Sequence, residues 1–202
     1  MCKLYNNCSK PFSHFSFSSF SPDSYRDSNS QHLNLREEIL TEHSKAQAHK
    51  IVQWIGSSQK RFDELINLFL TDEYRVVQRA AWPIGLLAET QPQLLYKHLP
   101  VLVSLLRKPG LHNAVRRNIT RILQYLQIPE ELKGDVMDAC FSFICDVQEK
   151  AAVKAFSLTI LEQLAKEYPE ILPEIITVIE ERWDYETAAF HSRAKKILKK
   201  KK

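Results

Sequence analysis

Three stretches of this chain share one pattern of apolar and basic residues, and such a repeat constrains the fold more than composition does. They read VVQRAAWPIG at 76–85, NAVRRNITRI at 113–122 and KAAVKAFSLTI at 150–160. Apolar residues recur three and four positions apart, which is the spacing of one buried helix face. The pattern therefore predicts the same kind of helix at least three times.

The copies also keep a common register, because Val77, Val115 and Val153 lie 38 residues apart. A second series of apolar pairs lies between them, at spacings of 37, 37 and 36 residues. Its members are Phe62 and Leu65, Leu99 and Leu102, Val136 and Ala139, and Leu172 and Ile175. Two interleaved series with one period predict a helical hairpin in each repeat. Since a hairpin cannot bury its apolar faces alone, the copies are expected to stack into a solenoid.

Residues typical of turns and helix caps separate the predicted helices. These breaks fall at Gly56-Ser57-Ser58, Thr71-Asp72, Gln91-Pro92, Pro109-Gly110, Pro129, Asp146, Pro169 and Asp184. No stretch alternates with the period of a strand. We therefore predict an all-α domain over 34–198, a right-handed α–α superhelix of about four helical hairpins plus a C-terminal helix.

The repeats resemble HEAT and armadillo repeats, whose first helix carries a signature close to D-x4-V-R-x2-A-x2-L-G. The residues that match it in one copy are Asp72, Val77, Ala81, Ile84 and Gly85. Gln78 stands where arginine is usual, whereas Arg116 and Lys154 restore a basic residue in the next two copies. The resemblance implies a solenoid scaffold that binds other molecules along its surface.

Several stretches also resemble a small family of single-domain HEAT-like proteins of unknown function, typical of the Bacteroidetes group. They are AAWPIGLLAE, LLYKHLPVL, KAAVKAFSLTILEQLAKEYPEILPEI and AAFHSRAKKILKK. Some members of that family carry the label adenylosuccinate lyase. The lyase superfamily has a signature resembling S-S-x-M-P-x-K-x-N-P, and nothing in this sequence matches it.

The two ends of the chain differ from its body in composition and charge. Residues 1–33 are rich in serine and phenylalanine without helical periodicity. They are interpreted as a disordered leader, a transit sequence or an extension upstream of a true start at Leu33 or Leu35. Six lysines give residues 195–202 a charge of +6, which leaves the body at 34–194 with −3. The lysine tail at 199–202 is expected to be a solvated helix end.

The sequence carries no pattern that predicts catalysis, a metal site or a cofactor. The chain has only four glycines and no phosphate-binding glycine motif. Its seven histidines form no metal-binding pair, and none of its four cysteines has the spacing of a zinc site. Cys140 and Cys145 are interpreted as small buried apolar residues in a reducing cytoplasm. No apolar run is long enough for a membrane span.

Charged residues at equivalent repeat positions are the best candidates for binding. The basic candidates are Arg75, Arg79, Arg116, Arg117 and Arg121, and the acidic candidates on second helices are Glu64, Asp138 and Glu174. The arginines either bridge neighbouring repeats by pairing with carboxylates or form a stripe that grips phosphate or an acidic peptide. The acidic row either is a solvated face or binds a basic peptide.

These patterns lead to three hypotheses. The first is a non-catalytic scaffold or adaptor whose partner is another protein or a peptide. The second is nucleic-acid binding, as in the HEAT-like solenoids of DNA alkylation repair. The third is an enzyme with the lyase label, which has no support from motifs. No cofactor and no membrane partner are expected, and the oligomeric state is left open.

Overall fold

The computed structural model describes residues 34–199 of the chain. The predictions made for residues 1–33 and for the last three lysines lie outside the described residues. Within 34–199 there are ten α-helices and no strand. They are α1 (Leu35–Thr41), α2 (Lys45–Ile55), α3 (Gln59–Thr71), α4 (Tyr74–Thr90), α5 (Leu99–Leu106), α6 (Asn113–Leu123), α7 (Glu130–Cys145), α8 (Ala151–Leu164), α9 (Leu172–Arg182) and α10 (Ala188–Leu198).

Local capping explains where the helices begin and end. The Ser58 side chain accepts a hydrogen bond from the backbone N–H of Arg61 at the start of α3. The Nδ1 atom of His112 does the same for Ala114 in α6, at 3.1 Å. Gly56 follows α2 with a φ of 52°, a left-handed conformation that glycine adopts without strain. The predicted breaks are confirmed, and a further break at 42–44 separates the short helix α1 from α2.

The helices lie in two layers. The first layer is α2, α4, α6, α8 and α10, and each of these helices packs against the next one. The second layer is α3, α5, α7 and α9, in which α7 packs between α5 and α9. In chain order the helices alternate between the layers as the pairs α2–α3, α4–α5, α6–α7 and α8–α9, with α10 last and α1 packed on α2 and α4. The most extensive contacts between consecutive helices of the two layers are those of α3 with α4 and of α7 with α8. The predicted all-α solenoid of four hairpins and a C-terminal helix is confirmed.

The repeated apolar positions form the core between the layers. In the first layer the buried members are Val77, Ile84, Ile122, Val153, Ile160, Phe190 and Ile197. In the second layer they are Phe62, Leu65, Leu99, Leu102, Val136, Ala139 and Ile175. Val115 and Leu172 are half-buried and pack against the same core. Each fully buried side chain of this size contributes roughly 1.5–3 kcal/mol, so stacking of the repeats is the main source of stability.

Buried ion pairs join successive repeats in register. Arg116 of α6 contacts Glu149, just before α8, with Nη1 at 2.7 Å from Oε2. Lys154 of α8 contacts Glu186, just before α10, with Nζ at 2.5 Å from Oε1. Arg182 adds a second cation to Glu186 at 3.2 Å. Only 3% of the Lys154 and Glu186 side chains is exposed, so the charges compensate each other away from water.

The junction between α4 and α6 lacks this ion pair. Gln78 occupies the position of Arg116 and Lys154, and its side chain is exposed. An aromatic contact lies there instead, with the rings of Tyr74 and His112 4.5 Å apart. The repeats are therefore joined by the same apolar core but by different polar contacts.

We expect Glu186→Gln to destabilise the protein by about 3 kcal/mol, because it leaves the buried Lys154 ammonium without its close anion. Urea unfolding followed by circular dichroism measures this change. Asp184→Asn is the matched control, since Asp184 is exposed in the same turn and should change stability by less than about 0.5 kcal/mol. Equal stability of the two variants would show that the buried pair contributes little.

Asp63 of α3 links the first two hairpins. Its carboxylate accepts hydrogen bonds from Lys97 Nζ at 2.7 Å and from Gln59 Nε2 at 2.9 Å. It also lies 2.6 Å from His98 Nε2. The hydrogen bonds from Lys97 and Gln59, with a smaller effect of the His98 contact, lower the pKa of Asp63 to about 2, although burial acts in the opposite direction.

This shift predicts a pH dependence of stability. Because the pKa of Asp63 is lower in the folded state, its contribution is present above the ordinary value of 3.8 and is lost as the pH falls towards about 2. We expect Asp63→Asn to flatten the fall in unfolding free energy over that window. Urea titrations at several acidic pH values test this, and an unchanged slope would contradict it.

Candidate functional site

Three of the five candidate arginines make contacts inside the protein. Arg79 donates from Nη1 to the carbonyl oxygen of Leu40, at 2.7 Å, and so holds the end of α1 against α4. Arg116 pairs with Glu149, and its guanidinium lies 5.3 Å from the centre of the Phe143 ring. These arginines bridge repeats, although Arg79 does so through backbone carbonyls instead of a carboxylate.

Arg121 also joins two repeats. Its guanidinium lies beside Gly85 of α4, 3.7 Å from the place that a Cβ atom would occupy there. It interacts with Tyr125, whose pKa is raised by partial burial and by a hydrogen bond with Glu89. A Cβ atom at Gly85, the last residue of the HEAT-like signature, would make an ordinary van der Waals contact with this guanidinium.

Arg75 and Arg117 are different, because both side chains are exposed and neither forms an ion pair with another described residue. They belong to a layer with a strong excess of positive charge. The five first-layer helices carry eleven lysines and arginines against two acidic residues, a net charge of +9. The five candidate arginines therefore do not form one exposed stripe. Only Arg75 and Arg117 among them are exposed.

The second layer has the opposite charge. Its four helices carry nine acidic residues and four lysines and arginines, a net charge of −5. All three acidic candidates, Glu64, Asp138 and Glu174, are exposed. Asp138 accepts a hydrogen bond from Arg107 at 2.9 Å, and Asp135 lies 3.1 Å from the same guanidinium nitrogen.

The excess of negative charge comes from two adjacent helices, α7 and α9. Their exposed acidic side chains, which we call the acidic face, are Glu130, Glu131, Asp135, Asp138, Glu174, Glu180 and Glu181. Both cations of these helices are in ion pairs, and three carboxylates of the acidic face are paired as well. Glu130 pairs with Lys133, and Asp135 and Asp138 both pair with Arg107. Arg182 pairs with Glu186, and Lys133 is held between Glu130 and Glu167.

Lys133 lies in the wall of a cavity at the ends of α6 and α8. The cavity measures about 270 Å³ and is lined by Leu126, Gln127, Ile128, Lys133, Gln163, Leu164, Lys166 and Glu167. Hydrogen bonds with Glu130 and Glu167 raise the pKa of Lys133 above its usual value. Its ammonium group is therefore neutralised by protein carboxylates, so Lys133 offers a ligand no free charge.

The two cysteines of α7 differ in exposure. Cys140 is buried, and burial raises the pKa of its thiol to about 12. The prediction that Cys145 is also buried is wrong, because Cys145 is the last residue of α7 and is exposed. Partial burial raises the Cys145 pKa, as do Glu174 and Glu181, whereas Arg182 lowers it. The thiol thus lies within electrostatic reach of the acidic face.

A family model for the HEAT repeat domain matches residues 35–201. The chain belongs to the HEAT repeat family. Proteins built from such helical repeats use their extended surfaces as scaffolds for binding. No curated protein matches the sequence.

The HEAT repeat of this chain shows no feature of a metal site or a membrane span in the part that the structure describes. No group of three or more histidine, cysteine, aspartate and glutamate side chains among residues 34–199 could hold a metal ion. None of the helices in that range is both long and apolar enough to cross a bilayer.

Sequence reasoning missed the separation of charge between the layers. The net charge of residues 34–194 is only −3, and this sum conceals a basic layer, to which Lys195 and Lys196 add beyond that range, and an acidic layer. The separation could have been found from the repeat register. The register assigns each predicted helix to one of the two layers, and the charges can then be summed for each layer separately. Sequence reasoning also missed that Cys145 is exposed and lies beside the acidic face.

We expect the double variant Glu174→Gln, Glu181→Gln to make Cys145 react faster with iodoacetamide at pH 8. Removing two negative charges lowers the thiol pKa and increases the thiolate fraction. Cys2 and Cys8 are replaced by serine in all samples so that labelling reports on α7, and buried Cys140 should stay unlabelled. Exposed Glu42→Gln is the control. An unchanged rate in the double variant would contradict the assigned electrostatic contact.

Proposed function

We propose that this protein is a non-catalytic scaffold or adaptor that binds a basic segment of another protein through the acidic face. One observation carries the proposal. Seven acidic side chains are exposed on two adjacent helices that carry only two cations, both in ion pairs. Glu131, Glu174 and Glu181 of this face form no ion pair with another described residue, whereas Glu130, Asp135 and Asp138 do. The HEAT repeat architecture supports it, since stacked repeats present such helices as one continuous surface.

Electrostatics explains how such a face would select its partner. Like charges on neighbouring helices repel each other, so a cationic segment that lies between them relieves repulsion within the protein itself. Exposed charges act over roughly 8–10 Å at physiological salt, which spans neighbouring helices of a layer. They accelerate encounter with a basic partner and disfavour an acidic one.

The chemistry of the titratable groups supports a binding role. The displaced pKa values of Asp63 and Lys133 follow from ion pairs that join helices. The Cys140 thiol is kept protonated by burial, with a pKa of about 12, and is therefore a poor nucleophile. These shifts stabilise the solenoid and prepare no group for general acid–base chemistry.

Nucleic-acid binding is the second candidate, and the basic first layer favours it. Arg75 and Arg117 are exposed there, as are Lys195 and Lys196 of α10. A phosphate backbone requires several such cations on one surface. Arg79, Arg116 and Lys154 of this layer are already used in internal contacts, so fewer cations remain for a phosphate backbone.

We expect a fluorescein-labelled peptide of ten lysines to bind the protein. The double variant Asp138→Lys, Glu174→Lys should bind this peptide about tenfold more weakly. Fluorescence anisotropy at about 50 mM and about 200 mM salt measures affinity and its salt dependence. The double variant Glu42→Lys, Glu64→Lys makes the same change of net charge on α3 and on the turn before α2. It should retain most of the binding, and equal loss in both variants would contradict a site on α7 and α9.

A duplex DNA probe in the same assay tests the second candidate. The first layer is the functional surface if three results are found together. The DNA probe binds the protein, the double variant Arg75→Glu, Arg117→Glu does not bind it, and the lysine peptide does not bind the protein. Binding of the peptide without binding of DNA supports the adaptor function.

A further inference from the structure

Two large apolar side chains are conspicuously exposed at one edge of the solenoid. Tyr185 is 80% exposed and Val147 is 65% exposed, the highest values among large apolar residues in the described part of the chain. Each lies in the short turn that connects a second-layer helix to the next first-layer helix. Val147 lies between α7 and α8, and Tyr185 between α9 and α10.

Both turns are held in place by buried ion pairs. Val147 is two residues from Glu149, which is paired with Arg116, and the Asp146 side chain accepts a hydrogen bond from Gln148 N–H at 2.8 Å. Tyr185 is next to Glu186, which is paired with Lys154. The two apolar side chains are therefore presented to solvent by anchored turns, so little conformational entropy is lost when a partner covers them.

These turns adjoin the acidic face. Val147 follows Cys145 by two residues, and the Cys145 thiol lies within electrostatic reach of Glu174 and Glu181. Tyr185 follows the end of α9 by three residues, and the exposed side chains of Asp146 and Asp184 lie in the same turns. Apolar and acidic groups thus form one surface at the ends of α7 and α9.

We propose that Val147 and Tyr185 are apolar anchors that bind a partner segment carrying apolar side chains next to basic ones. This inference rests on the proposed function and specifies the partner class, a basic amphipathic segment instead of a purely basic one. Helices that pack side by side lie 8–10 Å apart, and we expect anchors in the turns of successive repeats to be separated by roughly that distance. In a partner helix, residues seven positions apart are about 10 Å apart and match it.

The chemistry of the two anchors fits this role. Tyrosine is enriched among the residues that dominate binding interfaces, because its ring buries a large area at a small entropic cost. Acidic residues around the anchors supply charge complementarity to lysine or arginine. The apolar contact would provide affinity that survives salt, whereas the acidic face would provide steering and orientation.

Two labelled helical peptides with identical lysines and alanines test the inference. They differ at two positions seven residues apart, which are leucine in one peptide and serine in the other. We expect the leucine peptide to bind about tenfold more tightly, and the advantage to persist when salt is raised. Equal affinities would overturn the inference.

Variants of the protein assign that advantage to the anchors. Val147→Ser, Tyr185→Ser should remove the advantage of the leucine peptide and leave binding of the serine peptide unchanged. Tyr96→Ser, Val101→Ser removes the same two residue types from exposed positions near α5 and should preserve the advantage. Unchanged thermal unfolding of both variants shows that the fold is intact. Loss of the advantage in the Tyr96 and Val101 variant alone would overturn the inference.

Failure of the inference and failure of the proposed function give different results. In one case the two peptides bind with equal affinity, and the double variant Asp138→Lys, Glu174→Lys lowers both affinities by the same factor. The acidic face then binds the peptides, but the anchors do not contribute. If neither peptide binds, the proposed function fails and the inference fails with it. Iodoacetamide labelling of Cys145 in the Cys2→Ser, Cys8→Ser background should be slowed by the leucine peptide, and unprotected labelling would place binding elsewhere.

Discussion

Burial of apolar side chains between successive hairpins is the interaction on which the rest of this structure depends. A single hairpin leaves one side of Val153 or Ile160 without a covering neighbour, so each repeat is stable only when the next one packs on it. The same stacking removes the charges of Arg116 and Lys154 from water, so each needs the carboxylate that it contacts. Those ion pairs also position the turns that contain Val147 and Tyr185. The exposure of these two side chains therefore depends on the packing of the core.

Much of the fold could be predicted from the sequence, because both repeat series, such as Val77 to Val153, report directly on burial. The breaks at Gly56 and Pro129 could be predicted equally well, because glycine permits and proline imposes a backbone conformation that ends or begins a helix. The short helix α1 was not separated from α2, because a single cap at Ser44 divides one continuous apolar pattern. Helix period and turn chemistry are local, so a single sequence contains the information that determines them.

The candidate site was less predictable, because charge pairing depends on neighbours that are distant in sequence. Arg79 and Arg117 occupy equivalent positions, yet α1 covers the first and the second remains exposed. Cys145 was expected to be buried with Cys140, but the two lie on different sides of α7. The exposure of Val147 and Tyr185 likewise depends on turns fixed by ion pairs more than 30 residues apart in sequence.

Gln78 gives the solenoid one junction of a different kind. Between α6 and α8, and between α8 and α10, any relative rotation of the repeats must separate a buried charge from its partner. Between α4 and α6 no buried ion pair of described residues opposes such a rotation, and the polar contacts are the Tyr74 and His112 rings and the Arg121 guanidinium beside Gly85. The buried ion pairs thus tie together the repeats that carry the acidic face, whereas the junction before them depends on apolar packing and on contacts nearer the solvent.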